Sequence, residues 1–286
     1  MSEKTRTSAL LGYPPEARLL ILNADDFGMC YAENEATIRA IQHGLASSCS
    51  LMMPCPWALH GAHLLKQNPS IPFGVHLTAV SEYAHYRWGP LTCPDQVPSL
   101  VDEAGYFYNE KRIPEFLERV NLAELEIEFR AQIEATPAAG LKPTHIDSHC
   151  NIHLRREDIL DMVVDLACEY GLALRVSSRP FIEKLQRQGY PTNDYDLLDS
   201  YHVDATDKLA HYCKLLRELP AGLSEWALHP GIGSQELQAI TATWPIRQAD
   251  FDFLMSQAAR DVIREEGIII LSYASLQAAW RSSTSP

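Results

Sequence analysis

Short apolar runs alternate with amphipathic, charged segments along almost the whole chain, and this alternation most limits the fold. RLLILNA (18–24) is followed by ENEATIRAIQHGL (33–45), whose Ala36, Ile38, Ile41 and Leu45 suit one helical face. SSCSLMMP (47–54), WALHGAHLLKQNP (57–69) and IPFGVHLTA (71–79) continue the pattern. Further on come PTHIDSH (143–149), REDILDMVVDLACEYG (156–171) with a closing Gly171 that fits a helix stop, and LALRVSS (172–178). DKLAHYCKLLREL, SEWALHPG, a long helical stretch over about 246–266 and GIIILSYASL complete the series. Repeated strand–helix alternation predicts an α/β fold with a mostly parallel sheet, either doubly wound or closed as a barrel. Titratable residues recur at the C-terminal ends of the strands, where barrel folds build their sites, so a barrel is expected. We expect a single domain over 18–280, preceded by an N-terminal extension at 1–17. The alternation lapses at about 80–120, where aromatics and prolines predict a long inserted loop that orders as a lid.

Composition removes several function classes. A formal net charge of −13 opposes binding to nucleic acid or to an anionic membrane through bulk electrostatics. No apolar segment reaches membrane-span length, and the first apolar stretch is broken by Gly12, Pro14 and Pro15, unlike a signal peptide. Seven cysteines with no CxxC pair fit free thiols in a reducing compartment rather than a zinc–cysteine framework. A cytoplasmic protein is expected, and a homodimer is compatible with the sequence.

The strand ends carry the chemistry. The first run closes on Asp25 and Asp26, the third on His76, and the 143–149 run holds His145, Asp147 and His149. Arg175 lies on the next run and His229 closes WALHPG. Two adjacent Asp on a continuing strand would face opposite ways. A strand ending at Asn23 or Ala24, with a turn through Gly28, would let both address one cavity. The i, i+2, i+4 spacing puts His145, Asp147 and His149 on one face if the strand persists, with His153 four residues beyond. Two His and a carboxylate are a common divalent-metal set that leaves positions for water and substrate. The remaining His and Asp would then fix ring tautomers through hydrogen bonds.

ILNADDFG, GVHLT, PTHIDSH and LHPG, in this order, resemble the YdjC/ChbG carbohydrate deacetylase family, a branch of the polysaccharide-deacetylase-like barrels. The resemblance runs from about residue 18 to 276. It implies an irregular (β/α) barrel, one divalent metal ion, and removal of an acetyl group from an N-acetylated sugar such as a chitin-derived oligosaccharide. By motif, Asp26, His76 and His149 would hold the metal, Asp25 would be the general base and His229 the general acid. Arg175 falls where related deacetylases keep an Arg that orients the base. His145, Asp147 and His153 would stand behind these residues. The ligand types suit zinc, cobalt, manganese or iron, and the resemblance adds magnesium, so Zn2+ or Mg2+ is expected. The chain departs from the family at Asn151, where a further His is common, and at Cys150, a soft ligand beside the presumed site. Tyr83, Tyr86, Trp88, Tyr106 and Tyr108 of the insert could stack on sugar rings, or pack over the barrel or against a second subunit. The sequence also admits a non-catalytic sugar-binding barrel and, less well, a two-His-one-carboxylate iron oxygenase.

Overall fold

The computed structural model describes residues 7–284. Of the extension expected at 1–17, residues 1–6 therefore lie outside the described residues. Ten strands follow in chain order: β1 (Arg18–Phe27), β2 (Ser48–Leu51), β3 (Phe73–Leu77), β4 (Val80–Ser81), β5 (Tyr108–Asn109), β6 (His145–Ser148), β7 (Ala173–Leu174), β8 (Leu198–Asp199), β9 (Gly222–Leu228) and β10 (Ile269–Leu271). Eight of them form one parallel sheet in the order β7-β6-β3-β2-β1-β9-β8, with β10 paired to β1 over Leu19–Ile21. The two edges of this order approach each other: the Leu197 N–H, just before β8, donates to the Ser177 carbonyl, just after β7, at 3.0 Å. The sheet thus curls almost into a ring, and the expected irregular (β/α) barrel is what is found.

The long strands lack polar–apolar alternation because both faces are covered. Every residue of β2, β3, β6 and β9 is buried, as parallel sheets wrapped by helices require. Along β1, Leu19 and Ile21 enter one core while Leu20 and Leu22 enter another, the two-residue period of a strand feeding two layers. The helix Glu157–Tyr170 ends at Gly171 in the left-handed conformation, φ 62°. The stretch expected to be one helix over 246–266 is two, Trp244–Met255 and Gln257–Glu265. Ser256 breaks it by leaving helical geometry (ψ 140°) and accepting the Ala259 N–H on its hydroxyl at 3.1 Å.

The 80–120 segment is more ordered than a loop. β4 and β5 pair in a small sheet of their own, and Ile113–Arg119 is helical. Trp88 and Tyr108 are buried, Trp88 donating its indole N–H to the Val80 carbonyl, so these two rings build core and do not present a stacking surface. Buried Glu128, on the helix Leu122–Ala138, accepts the N–H groups of Leu91 and Thr92 and ties the segment down. Among the described residues no helix is long and apolar enough to cross a membrane, and all seven cysteines are free.

Candidate active site

β1 does not end before its two carboxylates; it runs through them to Phe27. The expected stop at Asn23 or Ala24 is replaced by a bulge. Pairing with β2 shifts register between Ala24 and Phe27, and Asp26 takes φ 63°, a left-handed conformation that Asp tolerates better than most residues. The irregularity, rather than a strand end, lets Asp25 and Asp26 line the same cavity, about 550 Å3 in volume. His76, His149, Arg175 and His229 line it too, and so do Glu82 and Tyr83 of the insert.

Asp26 is buried and faces two imidazoles with one oxygen. Its Oδ1 lies 3.2 Å from His149 Nδ1 and 3.5 Å from His76 Nε2. One donor atom from each of the three residues lies within 4.8 Å of the others. His76 presents Nε2 because its Nδ1 bonds Asp147 Oδ1 at 2.8 Å. A buried carboxylate oxygen and two buried ring nitrogens gathered within 4.8 Å of one another fit a divalent cation. Burial opposes charge on Asp26, but Arg247, His149 and His76 outweigh it and hold the carboxyl well below its usual range. His76 shows the converse: burial pushes it down, Asp147 and Asp26 push it up, and the result is about 9.

Asp25 is clamped in a separate network. Arg175 donates Nη1 to its Oδ2 at 2.6 Å and Nη2 to its Oδ1 at 2.8 Å, a bidentate pair. Asn23 Nδ2 adds a bond to Oδ1 at 2.7 Å. The same Arg175 reaches Glu225 at 2.6 Å and Asp147 at 2.9 Å, so one guanidinium joins the Asp25 and His76 sides of the cavity. On the far rim of β9, His229 bonds Ser200 Oγ through Nδ1 at 2.9 Å, while Asp250 accepts its backbone N–H at 2.9 Å. These anchors leave Nε2 for the cavity.

The i, i+2, i+4 reading holds in part. β6 stops at Ser148, and His149 opens a 3-10 turn containing Cys150 (φ 54°) and Asn151 (φ 52°). His145 and Asp147 do share a neighbour, both contacting Ser50 Oγ. The His145 ring stacks on Tyr273 at 3.6 Å, and burial drives its pKa down to about 3. His153 is likewise pushed down to about 4 by burial, bonded to Ser148 Oγ and the Arg175 carbonyl. Neither His145 nor His153 is among the cavity-lining residues; both brace the loops behind it.

Sequence reasoning missed Arg247, Glu33 and Glu82. Arg247, fully buried on the helix Trp244–Met255, donates Nη2 to Asp26 Oδ2 at 2.9 Å and pairs Nη1 with Glu33 Oε1 at 2.8 Å. It thereby occupies the Asp26 oxygen that the imidazoles do not face. Glu82 Oε2 lies 3.4 Å from His149 Nε2.

Comparison with known proteins agrees in one direction. The family described as YdjC-like protein matches residues 19–265. A carbohydrate deacetylase of Enterococcus faecalis (strain ATCC 700802 / V583) is 32% identical over 262 residues, covering 90% of this chain and 97% of that protein. A chitooligosaccharide deacetylase of Yersinia enterocolitica is 32% identical over 266 residues, covering 90% and 98% respectively. A solved protein from Enterococcus faecalis V583, described as a candidate for cellobiose-phosphate cleavage, superposes with a TM-score of 0.78 at 31% identity, over 91% of this chain and 99% of that one.

Proposed function

The chain belongs to the YdjC-like protein family, and from that premise we propose that it is a metal-dependent hydrolase that removes the acetyl group from an N-acetylated sugar. The observation that carries the reading is the meeting, in one cavity, of the Asp26–His76–His149 donor set with Asp25 on one side and His229 on the other. In this reading Asp26, His76 and His149 hold one divalent cation. When bound, such a cation polarises the amide carbonyl and lowers the pKa of water.

The chain's own residues supply the rest. Asp25 accepts the proton of the attacking water, its carboxylate kept in one orientation by the two Arg175 bonds and Asn23. His229 donates a proton to the departing sugar nitrogen, its ring fixed through Nδ1 by Ser200. Arg247 holds Asp26 Oδ2, so only Oδ1 is turned towards the imidazoles. Arg175 and His76 meet at Asp147, which couples the orientation of the base to that of a ligand. Water attack, proton removal by Asp25 and protonation of nitrogen by His229 together break the C–N bond and release acetate and an amino sugar. Each proton transfer is worth about 10²–10⁴-fold in rate.

The test is acetate release from a panel of acetylated chitooligosaccharides and other acetamido sugars, with Zn2+ or Mg2+ supplied. Release that stops when the protein is stripped with a chelator supports the reading. Absence of release across the panel with either ion sinks it, and sugar binding without product would favour a non-catalytic barrel.

A further inference from the structure

His149 stands between two sets of donors. Its Nδ1 faces Asp26, and its Nε2 lies 3.4 Å from Glu82 Oε2. Both Nε2 and that carboxylate oxygen are buried without a hydrogen-bond partner among the described residues, and His149 as a whole is 4% exposed. A buried polar atom left without a hydrogen bond costs on the order of 1–3 kcal/mol, and a third group between these two would satisfy both. Cys150, next in sequence and lining the same cavity, provides one: a donor atom from each of Glu82, His149 and Cys150 lies within 4.8 Å of the others.

We propose that Glu82, His149 and Cys150 form a second divalent-cation site, built on a thiolate, that shares the His149 ring with the Asp26–His76–His149 set. It rests on the preceding reading only in assigning Nδ1 to the first set. One sulfur, one nitrogen and one oxygen donor select a zinc-like ion, whereas the first set admits harder ions as well. Filling the site releases the Cys150 thiol proton and the Nε2 proton to solvent. Glu82 follows β4 in the insert and Cys150 follows β6, so a cation here ties the insert to the barrel rim beside the substrate cavity.

The site is tested by titrating Co2+ into chelator-stripped protein while following the thiolate-to-cobalt charge-transfer absorption and the bound stoichiometry. We expect the band in wild type and in Asp26→Asn, its loss in Cys150→Ser, and weaker Co2+ binding at the band in Glu82→Gln. His76→Gln serves in place of Asp26→Asn if the latter does not fold. No band in wild type, which is what a protonated His149 ring bridging two carboxylates predicts, overturns the proposal. A band surviving Cys150→Ser overturns it, and so does a band lost in both Asp26→Asn and His76→Gln, since Cys150 would then belong to the first set. Failure of the first-site reading shows separately, as Asp26→Asn and His76→Gln retaining the Co2+ equivalent that carries no band.

Discussion

Arg247 donates to Asp26 across 221 residues of sequence, at 2.9 Å, with neither side chain reaching solvent. Its other terminal nitrogen is paired with Glu33, whose carboxyl burial pushes well above its usual range, so one guanidinium joins two buried carboxyl groups and offsets the charge of Asp26. Replacing it by Met strands both. The expected cost is about 3–5 kcal/mol in urea unfolding, the usual result of breaking a buried pair from one side. Adding Glu33→Gln to Arg247→Met should recover part of that loss, because the two changes share a partner. A single variant as stable as wild type would show that the pair is not structural.

His145 and His153 predict the response to acid. Both titrate below the ordinary 6.5, at about 3 and about 4, because burial disfavours their charged forms. Between about pH 4 and 6.5 the unfolded chain binds protons that the folded chain refuses, so stability rises with pH through this window and is lost on acidification. Each ring contributes at most about 1.4 kcal/mol per pH unit. Between pH 7 and 5 the urea midpoint of wild type should fall further than that of His153→Gln, since the oppositely shifted His76, Glu33 and Glu225 act alike in both proteins. The same pH dependence in both proteins contradicts this assignment.

Gly74 is where the site leaves no room. A Cβ there would collide with the His145 ring at Nε2, and that ring is backed by Tyr273. Gly74→Ala should destabilise by about 1–3 kcal/mol, the range for overpacking a filled core. The same variant should weaken divalent-ion binding, since Gly74 lies two residues from His76 on β3. Thermal melts and metal affinity measured side by side check both, and an unperturbed Gly74→Ala variant would mean the ring moves freely.

His229 is the proposed acid, and its removal should separate chemistry from metal content. His229→Gln is expected to lower kcat by about 10²–10⁴-fold while bound metal stays at the wild-type level. Metal loss in that variant would instead make His229 part of the cation's surroundings.

The barrel was legible in the chain, and so were Asp25, Asp26, His76 and His149 as residues of one cavity, because both leave local marks. Parallel strands buried on both faces read as apolar runs, and cavity-lining residues at strand ends read as polar residues closing those runs. What the sequence hid was set by tertiary contact. Arg247 lies in one helix and Glu33 in another, and no local pattern tells a buried arginine from a solvated one. The β1 bulge was equally hidden: ADDF looked like a strand end, and only the register shift against β2 shows how two neighbouring Asp line one cavity. The insert's aromatics were ambiguous because Trp88 and Tyr108 differ from exposed Tyr106 in burial, not in residue type.

The division of labour between Asp25 and Asp26 is the central claim, and paired metal and acetate measurements on two isosteric variants test it most directly. Asp26→Asn should lose the ion of the Asp26–His76–His149 set together with acetate release, since Oδ1 faces both imidazoles. Asp25→Asn should keep the ion and lose release, since its carboxylate bonds Arg175 and Asn23 instead. Loss of the ion from Asp25→Asn, or full activity in either variant, would contradict the account.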